Sequence, residues 1–357
     1  MPRKKIFQKK KKESPSPGKI TKETIGDYRK EIISEGRKFK YPIQYSKHKL
    51  VINTLLISFV GLFLVVFFFL WQLYVVQNTG TIFYRVTQVV PLPVASVDGQ
   101  QVRYSDYLMK FRSERHYLET KEDIDFSTKD GESQIQGIKR QSMNDAVADA
   151  YAAKIASEKG IIVTREDAQK YIAAQQNPDG NEISDQTLIS VLRDYYGWSM
   201  SEYEHTIQKK LLTQKVKYAV DDSARALSNE VARAVDGSGK TFEEIAASFN
   251  KDKVQFGGSG GIVPKDNRDG GLAALAFSQG KGSISKPSEM IVGDGYYIIK
   301  TTDISESGVS YEYIRIPLTE FNDQLSALQK DGKIDYFIKI DDLDDSTPIQ
   351  NNTKIEE

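Results

Sequence analysis

The longest apolar pattern in the chain runs from Leu50 to Tyr84, a stretch that contains no charged side chain. As a helix that rises about 1.5 Å per residue, its most apolar part, 50–76, would span about 40 Å, more than the ~30 Å hydrocarbon layer of a bilayer. Trp71 and Tyr74 lie near its distal end, where interfacial aromatic residues are typical. Because the pattern is too long for a buried core helix or a cleaved signal peptide, it predicts an uncleaved transmembrane helix over 50–76.

Apolar residues recur at helical spacing in 94–217. The preceding segment 77–93, with polar residues at 77–80 and prolines at 91 and 93, is interpreted as a stalk. Val94–Val97 predicts a short strand before the first helix. Ser199 and Glu202 have the spacing of a capping box, which predicts the start of a helix. The pattern predicts a helical module in 94–217, with helices at about 105–117, 133–158, 164–176, 184–195 and 199–216 and a loop at 119–132.

Beyond Tyr218, short helical patterns alternate with short β-rich runs, and glycines cluster at 257–261. This mixture predicts an α+β protein in which a small mixed domain follows the helical module. The predicted helices are 222–235, 241–249, 272–277 and 320–329, and the predicted strands are 262–263, 296–301, 310–316 and 336–340. The acidic segment 341–357 is predicted to be a disordered tail.

Charge is segregated along the chain although the whole is neutral, with 49 Lys and Arg against 49 Asp and Glu. Residues 1–49 contain 16 basic and 5 acidic side chains. Because basic residues accumulate at the cytoplasmic end of membrane helices, this bias predicts a cytoplasmic N-terminus and an extracytoplasmic location for 77–357. We interpret 1–49 as a disordered basic arm that attracts anionic lipid, and we expect no nucleic-acid partner.

The composition excludes several kinds of chemistry. The chain contains no cysteine, which excludes disulfides, thiol catalysis and thiolate metal sites. Its three histidines lie too far apart in sequence for a helical metal site, and we expect neither a metal nor another cofactor. Gly237–Thr241 imitates a phosphate-binding loop, but Ala234 stands where the first glycine of that motif belongs, so no nucleotide site is predicted.

Three landmarks in 94–217 resemble the SurA-type N-terminal chaperone domain. Val94–Gly99 is similar to the opening strand and turn of that family. Residues 156–167 are similar to the end of its long helix, and Gly197–Glu202 is similar to the segment that opens its final helix. The landmarks occur in the family's order, and the resemblance implies a helical module that binds unfolded polypeptides.

Residues 241–304 resemble the parvulin-type peptidyl-prolyl isomerase domain. Thr241–Ala246 is similar to the family's "F-x-E-L-A" helix, 257–261 to its "GG-x-L-G" segment and Gly295–Lys300 to its "G-Y-H-I-I-K" strand. The resemblance implies a small α/β domain with an antiparallel sheet. An anchor followed by these two modules resembles the membrane-anchored foldases of the SurA/PrsA/PpiD kind.

The two histidines of the parvulin family are replaced in this chain. Tyr297 stands at the last-strand position, and either Tyr218 or Tyr313 stands at the first-strand position. These tyrosines are candidates by family position only, so we assign no catalytic residue and leave open whether the domain is an enzyme. Phe277, Met290 and Tyr297 are candidate walls of a peptide-binding pocket, with ordinary core packing as the alternative.

The first strand of a parvulin domain is missing from its usual place. Ser310–Ile316 is strand-like and precedes the predicted helix 320–329, which is the strand–helix order with which such a domain normally begins. We therefore expect 306–340 to complete the sheet as a permuted segment, since an unpaired inner edge would favour aggregation. The alternative is that 310–340 packs back onto the helical module.

Three functions are consistent with these patterns. The first is a membrane-tethered chaperone for unfolded, newly translocated or proline-containing polypeptides, with a non-catalytic parvulin-like domain. The alternative is an active prolyl isomerase whose site is built from tyrosines, and a structural membrane scaffold is the weaker third. The predicted segments are the basic arm 1–49, the transmembrane helix 50–76, the stalk 77–93, the helical module 94–217, the parvulin-like domain 218–305, the strand–helix–strand segment 306–340 and the tail 341–357.

Overall fold

A computed structural model describes residues 22–40, 45–176, 183–290, 293–341 and 343. It contains long helices and antiparallel sheets, which confirms the predicted α+β class. The chain divides into two compact units between Leu70 and Trp71. The tail beyond Leu343 lies outside the described residues, whereas Leu343 itself is buried, so the predicted tail begins too early.

The first unit contains helix α1 (Lys22–Lys40) and most of helix α2 (Tyr45–Tyr74). Helix α1 shows that the prediction of a disordered arm is wrong for 22–40, while 1–21 and 41–44 lie outside the described residues. Within the described part of the chain, one helix, over Lys49–Tyr74, is long and apolar enough to cross a membrane, and most of its apolar side chains are exposed, whereas Leu73 in its last turn is buried. This length and exposure agree with the predicted span.

The first complete helix of the second unit is α3 (Thr81–Val89), so the prediction of a stalk at 77–93 is wrong. Tyr84 and Thr87 of α3 are buried, and the Tyr84 hydroxyl donates a hydrogen bond to Glu202 Oε1 at 2.6 Å. Arg112 Nη1 donates to the Thr79 carbonyl at 2.6 Å. These contacts hold the segment against the helical part of the chain, and they could not be inferred from its polar composition.

The helical part contains a strand pair and most of the long helices. The predicted capping box is present, because Ser199 Oγ accepts from the Glu202 amide and Glu202 accepts from the Ser199 amide. The predicted loop at 119–132 is too long, because Thr128 caps a helix that begins at Lys129. The elements are β1 (Pro93–Val97), β2 (Gln100–Arg103), α4 (Tyr104–Thr120), α5 (Lys129–Lys159), α6 (Arg165–Gln176), α7 (Asp185–Val191) with the π-helical turn Leu192–Tyr196, and α8 (Met200–Val220).

The remaining elements form the mixed α/β part. Successive side chains of the longest strand point to opposite faces of the sheet, so that Tyr296 and Ile298 face one core and Tyr297 and Ile299 face another. The elements are α9 (Asp222–Ser238), α10 (Phe242–Ala247), β3 (Gln255–Gly258), α11 (Leu272–Gln279), β4 (Ser288–Glu289), β5 (Gly295–Ser305), β6 (Gly308–Pro317), α12 (Glu320–Lys330) and β7 (Ile334–Tyr336).

The described strands form two antiparallel sheets, and 306–340 contributes to both. Strand β6 lies between β3 and β5 in a four-stranded sheet of order β3-β6-β5-β4. Strand β7 pairs with β1 in the other sheet, of order β2-β1-β7, and α12 packs against α8. Strand β6 therefore lies in the four-stranded sheet, as expected for a segment that completes that sheet. Helix α12 and strand β7 instead pack on the helical part, as expected from the alternative.

Three local predictions are wrong. The segment around Tyr218, one of the two first-strand candidates, is not a strand. Lys217–Val220 is the last turn of α8, because the apolar spacing of that helix continues through the buried Tyr218. Residues 262–263 supply only an isolated bridge from Val263 to Val309. The final strand lies at Ile334–Tyr336, just before the predicted 336–340.

Candidate functional site

The first candidate site is the face of the four-stranded sheet that α11 covers. Tyr297 projects from β5 onto this face, and Tyr311 and Tyr313 project from β6. The ring centroids of Tyr297 and Tyr313 are 5.4 Å apart, and those of Tyr311 and Tyr313 are 6.4 Å apart. We call these three residues the tyrosine face.

Backbone geometry makes room for the tyrosine face. A Cβ atom built on Gly257 of β3 would lie 2.5 Å from the Tyr313 ring, so the ring occupies the space that any larger residue would need. On β5, a Cβ atom on Gly295 would lie 2.6 Å from the Ile316 carbonyl oxygen. Both glycines therefore have packing roles in this sheet.

Two hydroxyls of the tyrosine face, those of Tyr297 and Tyr311, donate hydrogen bonds to carboxylates. The Tyr297 hydroxyl donates to Asp294 Oδ1 at 3.0 Å, and Arg315 Nη2 lies 2.8 Å from Asp294 Oδ2. The Tyr311 hydroxyl donates to Asp269 Oδ2 at 2.6 Å. Burial, followed by the neighbouring carboxylates, raises the pKa of both tyrosines. Both phenols are thus neutral hydrogen-bond donors at physiological pH, and neither can serve as a general base.

The structure brings some of the predicted site residues together and separates others. Tyr297 and Tyr313 are neighbours, and the buried Met290 belongs to the same apolar cluster as Tyr297. Tyr218 packs on the opposite face of the sheet, against Tyr296, and its hydroxyl donates to the Gly295 carbonyl at 2.7 Å. Phe277 at the end of α11 is 38% exposed.

Sequence reasoning missed the polar partners of this face. Asp294 lies between Gly293 and Gly295, a pattern that indicates only a turn, and Arg315 and Asp269 lie far from it in sequence. Tyr311 carried a usable signal, because it alternates with Tyr313 along one strand and so must share its face.

A second candidate site is a cleft of about 330 Å³ in the helical part, which we call the module cleft. It lies between β2, α4, α5 and α8, and Ala150, Ala153 and Leu212 supply apolar lining. Gln101 and Gln208 add side-chain amides, and Gln208 already donates to the Val163 carbonyl at 2.8 Å. Apolar walls with amide groups suit an extended polypeptide, which presents both side chains and backbone hydrogen-bonding groups.

One side of the module cleft is charged. Asp106 lies 3.6 Å from His205 Nε2 and is paired with Lys209, and all three line the cleft. Burial opposes ionisation of Asp106, but the hydrogen bonds and positive charge of His205 and Lys209 hold its pKa below the usual range. Asp149 also lines the cleft, and Lys110 Nζ lies 2.9 Å from its Oδ2.

Among the described residues, no group of three or more His, Asp or Glu side chains is placed to hold a metal ion. The tyrosine face offers neutral donors, and the module cleft offers apolar surface with fixed charges. These arrangements can bind a polypeptide without reacting with it.

A family model described as the SurA-like N-terminal domain matches residues 46–217, a range that begins within α2 and ends within α8. No curated protein matches the chain. Residues 46–217 are therefore similar to a SurA-like N-terminal domain, and this similarity supports a chaperone-type role for the protein.

Proposed function

We propose that the protein is a membrane-tethered chaperone that binds unfolded or newly translocated polypeptides outside the cytoplasm. The observation that carries the proposal is the similarity of 46–217 to the SurA-like N-terminal domain. The module cleft, which lies inside that range, is the proposed client site, because its apolar lining and amide groups match an extended chain.

The tether is α2, and its orientation follows from charge. The described residues of α2 from Lys49 to Tyr74 have the length and composition of a membrane span. The 16 basic against 5 acidic residues in 1–49 favour a cytoplasmic N-terminus, which leaves 77–357 on the outer face. Protease added to intact cells should remove the C-terminal part and spare the arm, whereas protection of the C-terminal part would refute this topology.

The four-stranded sheet with α9, α10 and α11 is proposed to be a parvulin-like domain whose first strand is supplied by β6. Support comes from the inner position of β6 between β3 and β5 and from the helix α12 that follows it. Tyr297 and Tyr313, which we propose stand at the family's two histidine positions, have ring centroids 5.4 Å apart, and this proximity supports the assignment. Because both positions carry tyrosine, we propose that the domain binds polypeptide without catalysing isomerisation.

The client site can be tested on the full chain in lipid nanodiscs. Tryptophan at Ala153 would fill the module cleft, and the same change at Ala173, an exposed residue of α6 outside the cleft, is the matched control. We expect Ala153→Trp to weaken suppression of client aggregation at least about fivefold, a loss of about 1 kcal/mol of binding free energy. Equal activity of the two variants would show that clients bind elsewhere.

An active prolyl isomerase is the second candidate, favoured by the network of Tyr297, Asp294 and Arg315 beside an apolar cluster. A hydrogen-bonded network of this kind could stabilise a twisted amide. The discriminating measurement is turnover of a proline peptide by the full chain. A rate well above the uncatalysed one that is lost in Tyr297→Phe would establish the isomerase and refute the non-catalytic proposal.

A further inference from the structure

Helix α3 exposes large apolar side chains although it packs against the second unit. Thr87 is 1% exposed and donates its hydroxyl to the Tyr84 carbonyl, while the Tyr84 hydroxyl is bonded to Glu202 inside the unit. Ile82 is 75% exposed and Val89 is 83% exposed, and they share the outward side of the helix with the exposed Arg85 and Gln88. A helix that lies between a protein core and water would be expected to carry mainly polar side chains on that side.

The apolar residues on this side form one stripe. Val86 and Val89 lie four and seven positions after Ile82, which places these three on one side of the helix, and Val90 follows directly as the C-terminal cap with an extended backbone. Ile82, Val89 and Val90 are exposed, and Val86 is half-buried. We call this stripe the outer face of α3.

The outer face follows closely on the apolar helix α2. The last turn of α2 is fixed within the second unit, because the Tyr104 hydroxyl donates to the Leu73 carbonyl at 2.6 Å and the Tyr74 hydroxyl donates to the Pro93 carbonyl at 2.6 Å. Val75 and Val76, the next residues after α2, are also exposed. Exposed apolar side chains therefore lie directly after α2 and again on α3, with the polar residues 77–81 between them.

We propose that the outer face of α3 lies in the interface of the lipid bilayer, so that α3 is a second, peripheral membrane contact beside the span. This inference rests on the proposed anchoring by α2. Anchoring fixes the end of α2 at the membrane surface, and seven residues of chain from Tyr74 can carry Thr81 no more than about 25 Å from it.

The charge on the outer face suits this location. Arg85 projects between Ile82 and Val89 at helical spacing, and its side chain is 60% exposed although it lies 3.7 Å from Glu202. An arginine in this place can bury its apolar stem and direct its guanidinium to lipid phosphates. Apolar side chains flanking a cation are typical of helices that lie in a membrane interface.

The absence of cysteine from the chain allows a direct test with single-cysteine variants. The full-length variants Ile82→Cys and Val89→Cys would carry an environment-sensitive fluorophore in vesicles of phosphatidylcholine and phosphatidylglycerol that contain spin-labelled lipid. Ser58→Cys, in the middle of α2, reports the anchor, and Glu158→Cys, on the exposed end of α5, is the control for a site away from the membrane.

We expect lipid quenching of at least about half the emission at positions 58, 82 and 89 and none at 158. Quenching at 58 without quenching at 82 and 89 would overturn the inference and leave the anchor intact. No quenching at 58 would refute the anchor and the inference together. A further outcome is that emission at 82 and 89 is insensitive to the lipid quencher but shifts to shorter wavelength when an unfolded client is added. That result would identify the outer face as a client surface and also overturn the inference.

Discussion

Asp221 connects the end of α8 to the starts of α9 and α12, and its replacement by asparagine should destabilise the start of α12 selectively. The side chain is 1% exposed and lies between the end of α8 and the start of α9. Its Oδ1 accepts from the Ala224 amide at 2.8 Å and so caps α9. Its Oδ2 accepts from the Thr319 and Glu320 amides at 2.8 and 3.1 Å and so caps α12, which follows β6.

Asparagine retains one carboxyl-like oxygen and places an NH₂ donor at the other position. If the oxygen continues to cap α9, the NH₂ group faces two amide donors at the start of α12, and both of those hydrogen bonds are lost. Hydrogen bonds to a charged group contribute about 1.5–3 kcal/mol each, so Asp221→Asn should reduce the stability of the α12 start by at least about 3 kcal/mol. Asp221→Ala should weaken the starts of both helices.

Hydrogen exchange followed by mass spectrometry measures the two helix starts separately in the full chain. A loss of about 3 kcal/mol corresponds to roughly a hundredfold faster exchange for amides that open locally. We expect that change in peptides covering 317–325 of Asp221→Asn, with 222–228 nearly unchanged. The control is Asp222→Asn, because that neighbouring carboxylate is exposed and paired only with Arg225 among the described residues.

Two outcomes would refute this reasoning. Unchanged exchange in 317–325 of Asp221→Asn would mean that the Oδ2 contacts contribute nothing to the start of α12. Equal acceleration in Asp222→Asn would mean that the effect comes from net charge and not from the two amide hydrogen bonds.

The remaining predictions concern packing, a buried ion pair and pH. Gly257→Ala should lower the thermal unfolding midpoint of the mixed part by several degrees because its Cβ would meet the Tyr313 ring; an unchanged midpoint would contradict that packing. Lys110→Met should destabilise the helical part by about 3 kcal/mol in denaturant unfolding by leaving the Asp149 carboxylate without its cation, and adding Asp149→Leu should restore most of the loss; no recovery would contradict the pairing. The Asp106 carboxyl has a lowered pKa, so its stabilising contribution is fully present above about pH 4 and is lost progressively as pH falls below that value. The denaturation midpoints of the wild type and Asp106→Asn should therefore differ most at pH 7 and approach each other as pH falls from about 4 toward 2, and a constant difference would contradict the assignment.

Local sequence signals predicted most of the elements. The spacing of Ser199 and Glu202 identified the start of α8, and the β-rich composition of 296–301 identified strand β5. The predictions were wrong where the structure of a segment depends on contacts with residues that are distant in sequence. The residues 81–89 have a mixed composition that indicates a linker, but Tyr84 finds a hydrogen-bond partner in Glu202, more than a hundred residues away.

The candidate sites were less predictable than the fold. Tyr297 and Tyr313 could be placed together because the family positions and the expected strand pairing both point to one face. Asp294 and Arg315 could not, since an ion pair between a turn and a strand leaves no periodic signal. The module cleft depends on the relative placement of β2, α4, α5 and α8, which helical spacing alone does not determine.

The position of β6 and β7 in both sheets has a consequence for the synthesis of the protein. A nascent chain that has emerged from the ribosome only as far as β5 has no partner for the inner edges of β5 and β3, and β1 is paired on one side only. Neither sheet can be completed before β6 and β7 have emerged, because these strands begin only at residues 308 and 334, and long loops must close first. We therefore expect both sheets to form only once β7 is available, and until then the chain presents open strand edges of the kind that favour association with other chains.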